Sequence, residues 1–282
     1  MATVQALLVL IVGLSAPVDA SVKSRDGVDI RYHAEGRGEP AVVLVHCWTG
    51  DRRFWDAQVP GLARARRVVA LDLAGHGESG ASRGTWTIEA FADDVVAVVD
   101  ALKLRRVVLV GHSMGGHVTL AAAQRLGGRV AGLVPVDTLL DVEAPMSMAQ
   151  IDEYLRPFER DYPAAAEAFV RGYMFVPASP PAVIESVVAK ARAAPKAMAI
   201  EAVRRTWSYD AARAFEVVRA PIHAINGEKY PTNVEGNRRH APQYQVTLFP
   251  GTGHYPMLEA PERFGDVLEA TLRAVLAAPT RR

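Results

Sequence analysis

The chain has 282 residues, half of them apolar, with a net charge of +1 and one cysteine, Cys47. That length holds one large domain with an insertion or two small domains, and a single cysteine excludes an internal disulfide. No dense basic run and no zinc-spaced Cys/His cluster occurs, which disfavours electrostatic nucleic-acid binding and a structural zinc.

In chain order, Ala6 to Leu14 is an apolar run too short to span a membrane. Val18-Asp19-Ala20 has small residues where signal peptidase needs them. Residues 1–20 therefore read as a secretory leader and the product as secreted or periplasmic, with a cytoplasmic protein as the alternative. The expected fold starts at Ser21. Asp26-Gly27, between Ser21–Lys23 and Val28–Tyr32, is a hairpin signal. Ala41–Val45 is a buried strand, a helix is expected around Arg52–Leu62, and Val68–Leu71 is a third strand. Ile88, Phe91, Val95, Val98 and Leu102 keep helical spacing behind a capping Thr87. Arg106–Val110 reads as a strand, Val118–Leu126 as a helix and Val130–Val136 as another strand. Pro135 cannot donate to a ladder, so pairing should stop close to Asp137.

Ala144 to about Phe215 is wholly helical in pattern. Ile151, Tyr154, Leu155 and Phe158 share a face, with a kink expected at Pro157. Strands resume at Pro221–Ile225 and Gln245–Phe249, and a last helix carries Phe264, Val267, Leu268, Leu272 and Val275 on one side. The alternation predicts an α/β fold, a mostly parallel sheet covered by helices on both faces. Residues 21–143 and 216–282 make the core. Residues 144–215 make a helical cap over the strand C-terminal edge, where open α/β sheets bind ligands.

The chemistry centres on Gly111-His112-Ser113-Met114-Gly115, a Gly-x-Ser-x-Gly at a strand-to-helix junction. Glycines at both flanks allow the sharp turn that lifts a serine hydroxyl above the sheet beside a helix N-terminus. A serine nucleophile needs a base. Of eight histidines, His254 follows the last strand in Pro250-Gly251-Thr252-Gly253-His254-Tyr255-Pro256, at the ligand-binding edge. His46 ends a strand near the same edge and is expected to line the pocket. The side chain of His112 should point away from the apex of the turn. The acid that orients the base is either Asp137, directly after Val130–Val136, or Glu228, beyond the strand ending at Asn226; the firmer backbone favours Asp137. Two N–H groups must hold an oxyanion. Met114 supplies one, and Trp48, in the loop after Val45, is expected to supply the other. Tyr154 and Trp207 of the helical stretch are the expected walls of an apolar pocket.

Together these residues resemble the α/β-hydrolase superfamily, in particular its capped serine hydrolases and esterases, over nearly all the chain after the leader. Asp72-Leu73-Ala74-Gly75-His76-Gly77-Glu78-Ser79 also resembles a loop of that group and reads as structural. The resemblance implies an eight-stranded sheet, a nucleophile–acid–histidine order and no metal or organic cofactor. It implies hydrolysis of a small-molecule carboxylic ester through an acyl-serine. Lactone, thioester, amide or carbon–carbon hydrolysis would use the same triad, and a non-catalytic small-ligand receptor on this fold is the alternative of another class. Two positions depart from the family. Cys47 stands where the group has glycine before the oxyanion residue. Counting three residues from Gly227 to the usual acid lands on Tyr230, which cannot serve.

Overall fold

In the computed structural model, which describes residues 17–279, the strands are β1 (Val18–Lys23), β2 (Asp29–Glu35), β3 (Ala41–Val45), β4 (Val68–Leu71), β5 (Val107–His112), β6 (Val130–Val136), β7 (Ile222–Gly227) and β8 (Tyr244–Phe249). The helices are α1 (Val59–Ala63), α2 (Ile88–Ala101), α3 (Met114–Leu126), α4 (Met148–Arg160), α5 (Tyr162–Tyr173), α6 (Pro181–Ala193), α7 (Lys196–Trp207), α8 (Ala211–Val217), α9 (Val234–His240), α10 (Pro256–Glu259) and α11 (Pro261–Ala277). The strands form one sheet in the order β1-β2-β4-β3-β5-β6-β7-β8, in which β2 runs antiparallel to both its neighbours and the rest are parallel. Strands β3, β5 and β6 are buried along their whole length. That is why each reads as a continuous apolar run rather than an alternating one. No helix among the described residues is long and apolar enough to cross a membrane.

Most of the expected leader lies outside the described residues. Its last residues are seen, and they correct the expected start. Val18, Asp19 and Ala20 belong to β1 and pair with Ala34, His33 and Tyr32. Ala20 and Val22 pack on the core while their neighbours face out, the alternation of a half-covered edge strand. A second correction concerns the helix expected over Arg52–Leu62. Asp51 caps only a short 3-10 turn, Arg52–Trp55, and α1 begins afresh at Val59. Pro60 explains the break, because its missing N–H and fixed φ suit a helix's first turn and not its middle.

Thr87 caps α2, accepting from the Ala90 N–H at 3.1 Å. Pairing of β6 ends where expected. The N–H groups of Leu133 and Asp137 donate to Pro221 and Ile225 of the β7 side, so Pro135 occupies the position between them that would face the same way. Helices α4 to α8 fill the chain between β6 and β7. Pro157 lies inside α4, which runs on to Arg160. The boundary expected at residue 215 falls within α8, whose buried Phe215 packs on Tyr244 of β8.

Candidate active site

The sheet sets the position of Ser113, the expected nucleophile. Ser113 stands between β5 and α3 with φ 53° and ψ −119°, a conformation that L side chains rarely adopt. Its N–H is held by the Val136 carbonyl at 3.0 Å. Side chains at the flanking glycines would abolish this turn. A Cβ on Gly111 would run into the Gly115 backbone, and one on Gly115 would lie 2.5 Å from the His46 carbonyl oxygen and 2.6 Å from that of Val45. The motif therefore brings α3 against the end of β3 as well as bending the chain.

Both expected acids stand at this edge, and the structure separates them. Asp137 has φ 45° and a side chain only 10% exposed. Its Oδ2 accepts from His254 Nδ1 at 2.5 Å and its Oδ1 from the Gly227 N–H at 2.8 Å. Its own N–H donates to the Ile225 carbonyl at 2.8 Å. Glu228 is exposed, and among the described residues it makes no side-chain hydrogen bond or salt bridge. The end of β7 thus supplies an N–H, from Gly227, that holds the carboxylate at the end of β6.

The backbone of His254 is clamped from several elements. Its N–H donates to the Met174 carbonyl at 2.6 Å. Glu259 accepts from the N–H groups on either side, Gly253 at 2.8 Å and Tyr255 at 3.0 Å, and also binds the Ser179 hydroxyl. His112 Nε2 donates to the His254 carbonyl at 2.7 Å, and the two rings lie 4.7 Å apart. His112 is fully buried, which holds its pKa well below the usual 6.5 and keeps it uncharged beside His254, with His254 opposing a charge there as the second cause. Sequence reasoning turned the His112 side chain away from the apex and missed this brace. Glu259 was missed as well, because its partners are fixed only by the loop's tertiary path.

His46 corrects an expectation. It is fully buried and does not line the pocket. Its Nε2 accepts from the Leu73 N–H at 2.9 Å, and its Nδ1 donates to the Cys47 carbonyl at 2.7 Å. That carbonyl belongs to the same planar peptide as the Trp48 N–H, which must point the opposite way. His46 therefore aims Trp48's amide. Among the described residues no acceptor takes the N–H of Trp48 or of Met114. The indole of Trp48 is anchored elsewhere, donating to the Ala199 carbonyl at 2.8 Å. Burial pushes the Cys47 thiol up to about 12, so it stays un-ionised at neutral pH. In the loop read as structural, buried Asp72 accepts from the Arg52 N–H at 2.7 Å and the Glu78 N–H at 2.9 Å.

Ser113, Met114, Trp48, His254 and Trp207 all line one cavity of about 50 Å3. Among the described residues no hydrogen bond joins Ser113 Oγ to His254 Nε2; such bonds are often loose without substrate. Trp207 stands on the cavity wall. Tyr154 does not line it: it is half exposed and packs on Trp207 in a T-shaped pair, 5.9 Å between centroids.

The model of the alpha/beta hydrolase family matches residues 42–267. The chain is 30% identical over 251 residues to the dihydrolipoyllysine-residue acetyltransferase component of the acetoin cleaving system of Pseudomonas putida, covering 86% of this chain and 66% of that protein. It is 38% identical over 116 residues to a 2-hydroxy-6-oxo-2,4-heptadienoate hydrolase of Pseudomonas putida, covering 38% of this chain and 40% of that one. Among solved structures, a thermophilic esterase from Thermogutta terrifontis, with malate bound, superposes with a TM-score of 0.79 at 28% identity, covering 92% of this chain and all of that one.

Proposed function

This chain belongs to the alpha/beta hydrolase family, and from the arrangement around Ser113 we propose that it hydrolyses a small carboxylic ester through an acyl-serine intermediate. The observation that carries this reading is the Asp137–His254 hydrogen bond, at 2.5 Å, beside a serine on a strained strand-to-helix turn. Ser113 Oγ bonds to the ester carbon while its proton passes to His254 Nε2. The carbonyl oxygen takes the negative charge and lies against the N–H groups of Met114 and Trp48. The intermediate collapses, the alcohol leaves with the proton from His254, and water repeats the sequence to free the acid. Asp137 holds the imidazole in the tautomer that keeps Nε2 free to accept, and stabilises the imidazolium that forms. No metal or organic cofactor takes part. The helices from α4 to α7 serve as the cap over the site.

The triad would also serve a lactone, thioester, amide or carbon–carbon bond. The ester is the reading put to the test, on the likeness to the esterase of Thermogutta terrifontis over 92% of the chain at 28% identity. A fluorophosphonate probe tests the nucleophile. It should label the protein, and Ser113→Ala should abolish labelling and lower kcat on p-nitrophenyl acetate by at least about 10³-fold. Labelling that persists in the variant would overturn the assignment, and a protein with neither labelling nor turnover would point to a receptor on this fold.

A further inference from the structure

Ser113 lies where two unlike cavities meet. The smaller is about 50 Å3; Cys47, Trp48, Phe169, Val203 and Tyr255 help to line it, and none of its lining residues is exposed. The larger, about 770 Å3, is walled by Leu139, Leu140, Val142, Met146 and Tyr209 and opens to solvent beside the exposed Asp141 and Asp210. Thr206 and Trp207 line both. The C-terminal end of α7 is therefore the partition between them.

Volume decides what each can hold. The two cavities differ about fifteenfold in volume, about 50 against about 770 Å3, so the smaller one takes only a short chain of atoms. One of those is the carbonyl oxygen, because Trp48 and Met114 both line this cavity. Once the alcohol departs, the acyl group stays on Ser113 and the alcohol must reach solvent, which the large cavity meets beside Asp141 and Asp210. Charge narrows the choice further. Asp137, Asp141 and Asp210 line the large cavity, and no Lys or Arg does so among the described residues. His117, also on its wall, adds no positive charge at neutral pH, because desolvation holds it down to about 4.

We propose, resting on the esterase reading, that the substrate is a short-chain ester of a bulky alcohol: acetyl or propionyl in the small cavity, and an uncharged or cationic alcohol in the large one. Trp207 is the residue that sets the acyl limit. The test is kcat/KM along the p-nitrophenyl esters from acetate to octanoate. The value should fall by at least about tenfold between propionate and hexanoate, the scale on which a hydrophobic pocket rejects extra methylenes. Trp207→Ala joins the cavities and should raise the hexanoate-to-acetate ratio about tenfold, while Val203→Leu, which narrows the small cavity, should lower it. In a second arm, phenyl acetate should exceed 4-carboxyphenyl acetate by about tenfold, and both added salt and Asp141→Asn/Asp210→Asn should narrow that gap. A chain-length profile that is flat or rises with acyl length, in an enzyme that turns over esters, overturns this proposal and leaves the esterase reading standing. Preference for the carboxylate-bearing alcohol overturns the charge assignment. Absence of both ester turnover and probe labelling overturns the esterase reading and the proposal with it.

Discussion

Strands β6 and β7 lie side by side, in register at Val136 and Ile225, and each ends near a carboxylate at the same edge of the sheet. Only one of the two carboxylates is held. Asp137 follows its strand at once, its N–H still pairs with β7, its φ of 45° turns the side chain inward, and both its oxygens are occupied. Beyond β7 the chain turns outward. Glu228 points to solvent, while Lys229 reaches the carbonyls of Tyr173 and Phe175 at 2.8 and 2.7 Å. Position at the edge gives a carboxylate access to the site. A fixed hydrogen bond to a histidine also needs an anchored backbone and a partner for the second oxygen.

The largest effect that tests this contrast is Asp137→Asn. It should cut kcat by about 10⁴-fold by favouring the wrong histidine tautomer, the loss known for another serine triad, with little change in the melting temperature. A near-normal rate would break the comparison. Next comes the buried side of the contrast. Burial lowers His46 to about 4, and His76 to about 3, from the usual 6.5. The unfolded chain therefore binds protons that the fold refuses as the pH drops below about 6.5. Stability should be full above that pH and decline as it falls toward 4. His76→Gln should flatten the decline by about one proton, or ~1.4 kcal/mol per pH unit, in denaturant titrations at several pH values. His112→Leu removes the brace on the His254 carbonyl and should lower kcat by about 10- to 100-fold with KM little changed, since a small misplacement of a catalytic group is costly. An equal loss in KM alone would assign His112 to substrate binding. The smallest effect belongs to Glu228→Gln, about tenfold or less in kcat, through the local field only. If this variant were nearly inactive, the acid would belong to β7.

Much of this was legible in the residues. The sheet's central strands showed as β-branched runs, because a strand covered on both faces has no polar side to betray its period. The elbow showed as glycines at fixed spacing around Ser113, because backbone packs on backbone there. His254 showed because its loop directly follows a strand. The less legible features share one cause. Tyr154 and Trp207 carried the same helical-pattern signal, yet only Trp207 reaches the cavity, since which face of an inserted helix turns inward depends on its neighbours. His46 and His112 carry identical chemistry to the base and act instead on peptide groups, one on the Cys47 carbonyl and one on that of His254.

The sequence by itself determined the order of strands and helices, the serine turn and the two strand ends able to offer an acid, because these follow from local periodicity and local sterics. Only the tertiary structure decided which acid is bound, which histidines are braces and which aromatic parts the two cavities. Those outcomes rest on contacts between residues far apart in the chain, such as Asp137 with Gly227 and His254, whose geometry exists only when β6, β7 and the last loop are packed together.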